Sequence, residues 1–127
     1  MYKIYVYKDA NGNEPIVDYL KELSSKGDKN SRLNLKKIQD YINILQQYGK
    51  TAGEPYMKHL DGEIWELRPL RNRIFFVAWD GNRFILLHHF IKKTQKTPRA
   101  QIELAKKYRA DFLRRQQAAV TSKKGSR

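Results

Sequence analysis

Residues 83–91 read Arg-Phe-Ile-Leu-Leu-His-His-Phe-Ile, and the first half of this run is apolar on both faces of an extended chain. A strand with two apolar faces lies in the interior of a sheet, covered on each side. The Asp-Gly-Asn sequence at residues 80–82 predicts a tight hairpin turn before it. Two further extended runs precede that turn, at residues 64–70 and 73–79, with a short connection between them. The three runs therefore predict consecutive antiparallel strands.

The sequence before these strands predicts one more strand and two helices. Residues 2–8 are rich in aromatic and β-branched side chains, which is typical of a strand. The first amphipathic helix is predicted to begin at Pro15 and to end at Gly27. The second has Ser31 as its predicted N-cap and ends at Gly49. The short link between them predicts a helical hairpin.

A third helix follows the strands, with Thr97 as its predicted N-cap and Pro98 at its first position. After Arg115 few apolar residues remain, so we expect residues 116–127 to form a basic, frayed or disordered tail. The sequence thus predicts a single α+β domain over residues 1–115. Its predicted order is β-α-α-β-β-β-α, with the helices packed on a small, mostly antiparallel sheet.

Charge is distributed unevenly along the chain. The formal net charge is +13, and residues 1–67 contribute nothing to it, because they contain ten basic and ten acidic side chains. All of the excess lies after Leu67. Such asymmetry favours a polyanionic partner, most often a nucleic acid. The alternative is a basic surface that serves only solubility.

Composition excludes several classes of protein. Cysteine is absent, which excludes disulfides, Cys-ligated zinc and a Cys nucleophile. No apolar run approaches the length of a membrane span, and the first residues lack the apolar core of a secretion signal. We therefore expect a cytoplasmic protein that does not bind membranes. The three histidines lack metal-ligand spacing and no glycine-rich nucleotide loop is present, so we expect neither a metal nor a cofactor.

The basic half of the chain carries the side chains needed to cut RNA without a metal. Arg68 ends one predicted strand and Arg73 begins the next, so a hairpin brings them together. The planar guanidinium of arginine can donate two parallel hydrogen bonds to phosphate oxygens. Histidine titrates near neutral pH and can therefore accept or donate a proton. Alternation places His88 and His89 on opposite faces of one strand, so that only one of them faces a given cleft. Either could instead be a buried structural residue.

Other roles stay open at this point. Lys92, Lys93 and Lys96 are as suited to anchoring phosphates as to catalysis. Trp65 and Trp79 could stack on bases, although their alternating apolar neighbours favour positions in the core.

Three stretches of the chain resemble the phage-derived host-killing (HigB-like) branch of the RelE/HigB toxin superfamily. They are Ile-Trp-Glu-Leu-Arg-Pro at residues 64–69, Arg-Ile-Phe-Phe at 73–76 and Leu-Leu-His-His-Phe-Ile-Lys-Lys-Thr-Gln-Lys-Thr-Pro at 86–98. The resemblance covers roughly residues 2–113. It implies a RelE-like, microbial-ribonuclease-like fold and the toxin of a type II toxin-antitoxin system. Such a toxin is a ribosome-dependent mRNA endoribonuclease, and its partner is a cognate antitoxin, commonly of helix-turn-helix type. We expect that antitoxin to present an acidic contact surface.

The resemblance also assigns roles by position. Arg73 corresponds to the strand arginine that contacts the scissile phosphate, and Arg68 to the arginine of the Trp-Glu-Leu-Arg string. His88 corresponds to a recurring histidine, and Lys93 lies near a second catalytic cation, so these four are the predicted catalytic residues. The predicted RNA-binding residues are Arg71, Lys92, Lys96 and Arg99. The catalytic tyrosine of some members has no counterpart, since Tyr108 lies inside the third helix, and His88 and Lys96 both remain candidates for the general acid.

Two other functions are compatible with the same sequence. One is a basic nucleic-acid-binding protein without catalytic activity, such as a degenerate toxin. The other is a toxin of the same fold that inhibits gyrase.

Overall fold

The computed structural model describes residues 1–125, and side chains as far as Thr121. Over these residues the elements are β1 (Lys3–Val6), α1 (Pro15–Lys26), α2 (Lys29–Tyr48), β2 (Met57–Asp61), β3 (Ile64–Leu67), β4 (Asn72–Asp80), β5 (Arg83–Ile91) and α3 (Arg99–Gly125), with a short 3-10 turn at Gly49–Ala52. The strands form one mixed sheet in the order β1-β5-β4-β3-β2, in which only the β1–β5 pair is parallel. The predicted α+β class is confirmed, and β5 is an interior strand as predicted.

Strand β2 is missing from the predicted element order. It lies at the edge of the sheet, and Met57 is its only fully buried residue. The register with β3 shifts between His59 and Asp61, so the pairing is irregular. An edge strand with one buried side chain lacks the alternating apolar pattern by which strands are recognised in a sequence. The observed order is therefore β-α-α-β-β-β-β-α.

The first two helices form the predicted hairpin, but the cap of the second is a different residue. Helix α1 ends at Gly27, whose φ of +69° suits a glycine. The N-cap of α2 is Asp28, whose carboxylate accepts hydrogen bonds from Ser31 N at 3.0 Å and Ser31 Oγ at 2.7 Å. Ser31 is thus buried inside the first turn instead of capping it. A charged acceptor at this position also interacts favourably with the helix dipole.

The sheet has an apolar core on each face. The face covered by α1 and α2 buries, among others, Ile16, Leu23, Ile38, Leu45, Ile74, Phe76 and Leu86. The face covered by α3 buries Ile64, Phe75, Val77, Ile85, Leu87, Ile102 and Ala105. Strands β4 and β5 contribute alternate residues to both cores, which explains why their sequences are apolar on both faces.

A bulge in β5 changes which way its last residues point. Phe76 pairs with Leu86 and Phe75 pairs with His88, so Leu87 is an extra residue without a partner on β4. Leu87 and His88 therefore both face α3, and His89 faces α1. The prediction that the two histidines lie on opposite faces is correct, and the bulge decides which face each one takes.

The start of α3 differs from the prediction. The hydroxyl of Thr97 donates to Glu66 Oε1 at 2.9 Å, and the helix begins two residues later, at Arg99. The carbonyl of Pro98 accepts the hydrogen bond from Gln101 N at 3.0 Å. The helix continues to Gly125, so the predicted frayed tail is helical up to that residue, and residues 126–127 lie outside the described part of the chain. The domain limit at residue 115 stays a prediction. None of the described helices combines the length and the apolar character needed to cross a membrane.

Candidate nucleic-acid interface

A buried carboxylate holds two arginines at the end of the sheet near the start of α3. Glu66 on β3 is 1% exposed, and its Oε2 lies 3.6 Å from Arg68 Nε and 3.8 Å from Arg73 Nε. Its other oxygen accepts the hydrogen bond from Thr97. The Glu66 cluster, defined as Glu66, Arg68, Arg73 and Thr97, therefore joins β3, β4 and the segment before α3. The predicted proximity of Arg68 and Arg73 is confirmed.

Arg73 is held in a fixed orientation by the backbone around it. Its Nη1 donates to the carbonyls of Leu70 at 2.9 Å and Asn72 at 2.8 Å. Burial lowers the pKa of Arg73, the carboxylate of Glu66 opposes that shift, and the charge of Arg68 adds to it. Because the ordinary pKa of a guanidinium lies far above 7, Arg73 remains charged at neutral pH in spite of this shift. Arg73 is thus a preorganised cation with little freedom to move.

A cationic cleft of about 390 Å³ opens beside Arg73. It is lined by Arg71, Arg73, Lys92, Lys93, Thr94 and Gln95. The backbone closes one wall, because Lys92 N donates to the carbonyl of Arg71 at 2.8 Å. Partial burial and the charges of Arg73 and Arg68 lower the pKa of Lys92. Four cations around one opening suit a phosphate group: Arg71, Lys92 and Lys93 are exposed or half-buried, and the mostly buried Arg73 also lines the opening.

Glu54 is the second carboxylate next to the Glu66 cluster. Its Oε1 lies 3.2 Å from Arg68 Nη1, and its side chain is 66% exposed. Neither Glu54 nor Glu66 is among the site residues predicted from the sequence. For Glu66 a signal was present: it lies two residues before Arg68 on one predicted strand, so both share a face, and it is a charged residue in an apolar run. Glu54 lies in the loop before the unpredicted strand β2, where no pattern marks it.

His88 lies outside the cationic cleft. Its ring stacks on Phe75 at 5.2 Å between centroids and meets the ring of Tyr108 edge-on at 5.7 Å. It is 9% exposed beneath α3, and burial lowers its pKa, with the nearby Gln101 side chain opposing that shift. Its Nε2 is buried and lacks a hydrogen-bond partner among the described residues. The structure therefore does not bring His88 together with Arg68, Arg73 and Lys93.

Comparison with known proteins assigns the sequence to a family. Residues 18–110 match the family described as "Phage derived protein Gp49-like (DUF891)", which is well over half of the chain. The chain belongs to this Gp49-like family. Its fold is similar to a chain of the YoeB-YefM complex from Staphylococcus aureus, with a TM-score of 0.51, 14% identity, and coverage of 73% of this chain and 99% of that one. No curated protein matches the sequence.

The family and the fold agree with the resemblance to RelE/HigB-type toxins at the level of the superfamily. The assignment to the host-killing HigB-like branch stays a prediction. The role of each predicted site residue also stays a prediction.

Two predicted RNA-binding residues of the Gp49-like chain lie apart from the cationic cleft. The guanidinium of Arg99 pairs with Asp61 at 2.7 Å and with Glu103 at 2.9 Å, so it ties α3 to β2. Lys96 is exposed in the loop before α3, where its carbonyl accepts a hydrogen bond from Thr94 Oγ1 at 2.9 Å. Arg71 and Lys92 do line the cleft. Among the described residues, no group of three His, Asp or Glu side chains is placed to hold a metal ion.

The remaining aromatic candidates of the Gp49-like chain pack against other side chains. Trp79 contacts Tyr5 and Phe112 edge-on, and the Arg83 guanidinium lies 3.6 Å from the centre of its ring. Trp65 packs at the margin of the core under α1 and α2. Both are half-buried, which favours the packing role over base stacking.

Proposed function

We propose that this Gp49-like protein is the toxin of a type II toxin-antitoxin system and that it cuts mRNA on the ribosome, in the cytoplasm. Membership of the Gp49-like family and a fold similar to that of a chain in a YoeB-YefM complex support the toxin assignment. The cationic cleft beside the Glu66 cluster supports RNA as the substrate. The single observation that carries the proposal is that Arg73, held by Glu66 and by two backbone carbonyls, lines a cleft together with three further cations.

The proposed reaction needs only side chains of this chain. A base removes the proton of the ribose 2′-OH, and the 2′-oxygen attacks the adjacent phosphorus. The bond from phosphorus to the 5′-oxygen breaks, and an acid protonates that oxygen. The products are a 2′,3′-cyclic phosphate and a 5′-hydroxyl end. Arg73 and Lys93, which line the cleft, hold the negative charge that grows on the phosphorane oxygens in the transition state, and Arg68 adds its positive charge from the neighbouring Glu66 cluster.

The proposed groups for the two proton transfers are Lys92 as the acid and Glu54 as the base. Lys92 lines the cleft, and a lysine whose pKa is lowered gives up its proton more readily than an ordinary one. Glu54 is a carboxylate that solvent reaches beside Arg68, whereas Glu66 is buried and occupied by its ion pairs. For His88 to act directly, α3 would have to move away from the sheet.

The proposed partners follow from the charge distribution. All of the net charge of +13 lies after Leu67, and in the described part of the chain it lies on the β3–β4 turn, β4, β5, α3 and the loops between them. We propose that a cognate antitoxin, of helix-turn-helix type, neutralises this surface with acidic side chains. The other proposed partner is mRNA on the ribosome.

Mapping of RNA ends after induction in cells tests the proposal. We expect cuts in translated mRNA that keep a fixed phase with the codons and leave 2′,3′-cyclic phosphate ends. Arg73→Ala should lose the cuts. The matched control is Lys107→Ala, which removes one exposed cation from α3 and should retain them.

The result that would overturn the proposal is growth arrest without codon-phased cuts. RNA binding without cleavage by the purified protein would then indicate a nucleic-acid-binding module. Loss of DNA supercoiling in induced cells would indicate a gyrase inhibitor.

A further inference from the structure

A second cleft lies on the opposite face of the sheet, at the same end of β4 and β5. Its volume is about 620 Å³, and it is bounded by α1, α2, the β3–β4 turn and the end of β5. The residues that matter for the inference are Tyr19, Asn30, Leu70, Arg71, His89 and Ile91. The proposed cleavage reaction makes no use of this cleft apart from Arg71.

The wall of this cleft is a rigid pair of aromatic rings. The Tyr19 and His89 rings stack with centroids 3.6 Å apart and planes inclined by 13°. Tyr19 Oη donates to Asn72 Oδ1 at 2.5 Å, and Asn72 Nδ2 donates in turn to Asn34 Oδ1 at 2.7 Å. Because these side chains are already fixed by one another, a ligand would not have to order them on binding.

The rim of the cleft carries two exposed apolar side chains. Leu70 is 45% exposed and Ile91 is 49% exposed, although both are large aliphatic residues. Leu70 also has a φ of +58°, the left-handed conformation that disfavours any residue with a Cβ. The turn that holds Leu70 is closed by the hydrogen bond from Asn72 N to the Pro69 carbonyl at 3.0 Å, and residues in this conformation are concentrated at binding sites.

Arg71 connects this cleft with the cationic one. It lines both clefts, and it is exposed on the turn between them. Its carbonyl accepts the hydrogen bond from Lys92 N, so the turn is fixed to the chain that leaves β5. A strand of RNA with one phosphate in the cationic cleft would therefore pass Arg71 and reach the second cleft with a neighbouring nucleotide.

We propose that the second cleft binds the base of a nucleotide next to the phosphate held in the cationic cleft. A nucleobase has apolar faces and a polar edge, which suit the aliphatic rim, the aromatic wall and the exposed Asn30 amide. The identity of the polymer as RNA rests on the proposed function. An apolar side chain of an antitoxin would suit the rim equally well, but only a nucleic acid accounts for the connection through Arg71 to a phosphate site.

Nuclear magnetic resonance titration tests the site separately from cleavage. The four ribonucleosides, which lack phosphate, should shift the methyl resonances of Leu70 and Ile91. Inorganic phosphate should instead shift resonances of Arg73 and Lys92. Leu70→Gly should weaken nucleoside binding by about tenfold, as expected when one apolar contact with a base is lost. It should leave phosphate binding and the melting temperature unchanged, because glycine accepts the positive φ.

The matched control is Leu33→Ala, which removes another half-exposed leucine, on α2 outside the cleft. This variant should bind nucleosides as tightly as the wild type. In cleavage maps, Leu70→Gly should alter the base preference beside the cut, and Leu33→Ala should not.

Three outcomes separate this inference from the proposed function. Nucleosides that leave Leu70 and Ile91 unshifted would overturn the base site, whether or not the protein cuts RNA. Nucleoside binding by a protein that cuts no RNA would support the site and overturn the nuclease. Protection of Leu70 by a co-expressed antitoxin, with no response to nucleosides, would make the cleft a protein-docking surface and overturn the inference.

Discussion

The carboxylate of Glu66 lies 3.8 Å from Arg73 Nε, and both side chains are almost completely buried at the point where β3, β4 and the segment before α3 meet. Arg68 shares the same oxygen at 3.6 Å. One buried negative charge thus holds two positive charges close to each other at the base of the cationic cleft. The arrangement makes Glu66 a positioning residue, since its role is exerted through the arginines.

Glu66→Gln should lower the free energy of unfolding by about 3 kcal/mol, because removal of one partner leaves buried charges uncompensated. Denaturant unfolding followed by circular dichroism measures the change. Glu103→Gln is the control, since Glu103 belongs to an exposed pair with Arg99 and should cost less than about 1 kcal/mol. Equal losses for the two variants would show that the Glu66 cluster does not stabilise the fold.

Arg73→Ala should reduce the rate of mRNA cleavage by about 10²–10³, the usual effect of removing one contact to the transition state. Because Arg73 also donates to two backbone carbonyls, the variant should be less stable, and its rate is to be measured well below its melting temperature. Arg73→Lys keeps the charge but loses the fork of donors, so we expect an intermediate rate. A folded Arg73→Ala protein with the wild-type rate would exclude the role.

Lys92→Arg should reduce the single-turnover rate by about 10²–10⁴ with little effect on RNA binding, because arginine keeps the charge but does not give up a proton. Lys93→Arg, in the same cleft, should retain most of the rate. In the wild type, the rate should fall as pH rises through the pKa of Lys92, since the acid must be protonated. That fall should come at a lower pH than for an ordinary lysine. Similar losses for both variants would argue against Lys92 as the acid.

His89 should make the fold sensitive to mild acid. Burial, together with the charge of His88, lowers the pKa of His89 to about 4, against an ordinary value of 6.5. Between these values the unfolded chain binds a proton that the folded protein does not, so stability falls as pH falls from 6.5 to 4. We expect a loss of about 2 kcal/mol from this residue. His89→Gln should reduce the slope of the profile in that window, where the lowered pKa of His88 also contributes, and an unchanged slope would contradict the assignment.

Tyr7 should anchor the middle of α3 to the segment that follows β1. Its hydroxyl donates to Asp111 Oδ2 at 2.6 Å, and Arg115 Nη2 lies 2.8 Å from the same oxygen. Tyr7→Phe should cost about 1.5–3 kcal/mol, the range for a hydrogen bond to a charged group. It should also speed amide hydrogen exchange in α3 after Tyr108. Tyr48→Phe changes an exposed tyrosine and should alter neither quantity.

The sequence by itself determined those strands and helices that have a regular pattern of apolar residues or a turn or capping residue at their ends. The apolar run at β5, the hairpin turn before it and the helix limits at Pro15 and Gly27 depend on local sterics and on burial of alternate residues, which neighbouring residues in the sequence encode. The proximity of Arg68 and Arg73 was predictable for the same reason, since one short turn joins their strands.

The tertiary structure alone decided which predicted side chains lie outside the cationic cleft and which unpredicted ones support it. The bulge at Leu87 turns His88 towards α3, and regular alternation from Leu86 would have placed it on the other face. The roles of Glu66 and Thr97 depend on a contact between residues 31 positions apart, which arises only when α3 packs on the sheet. Pairing register and long-range packing are properties of the whole fold, so they leave no periodic pattern in the local sequence.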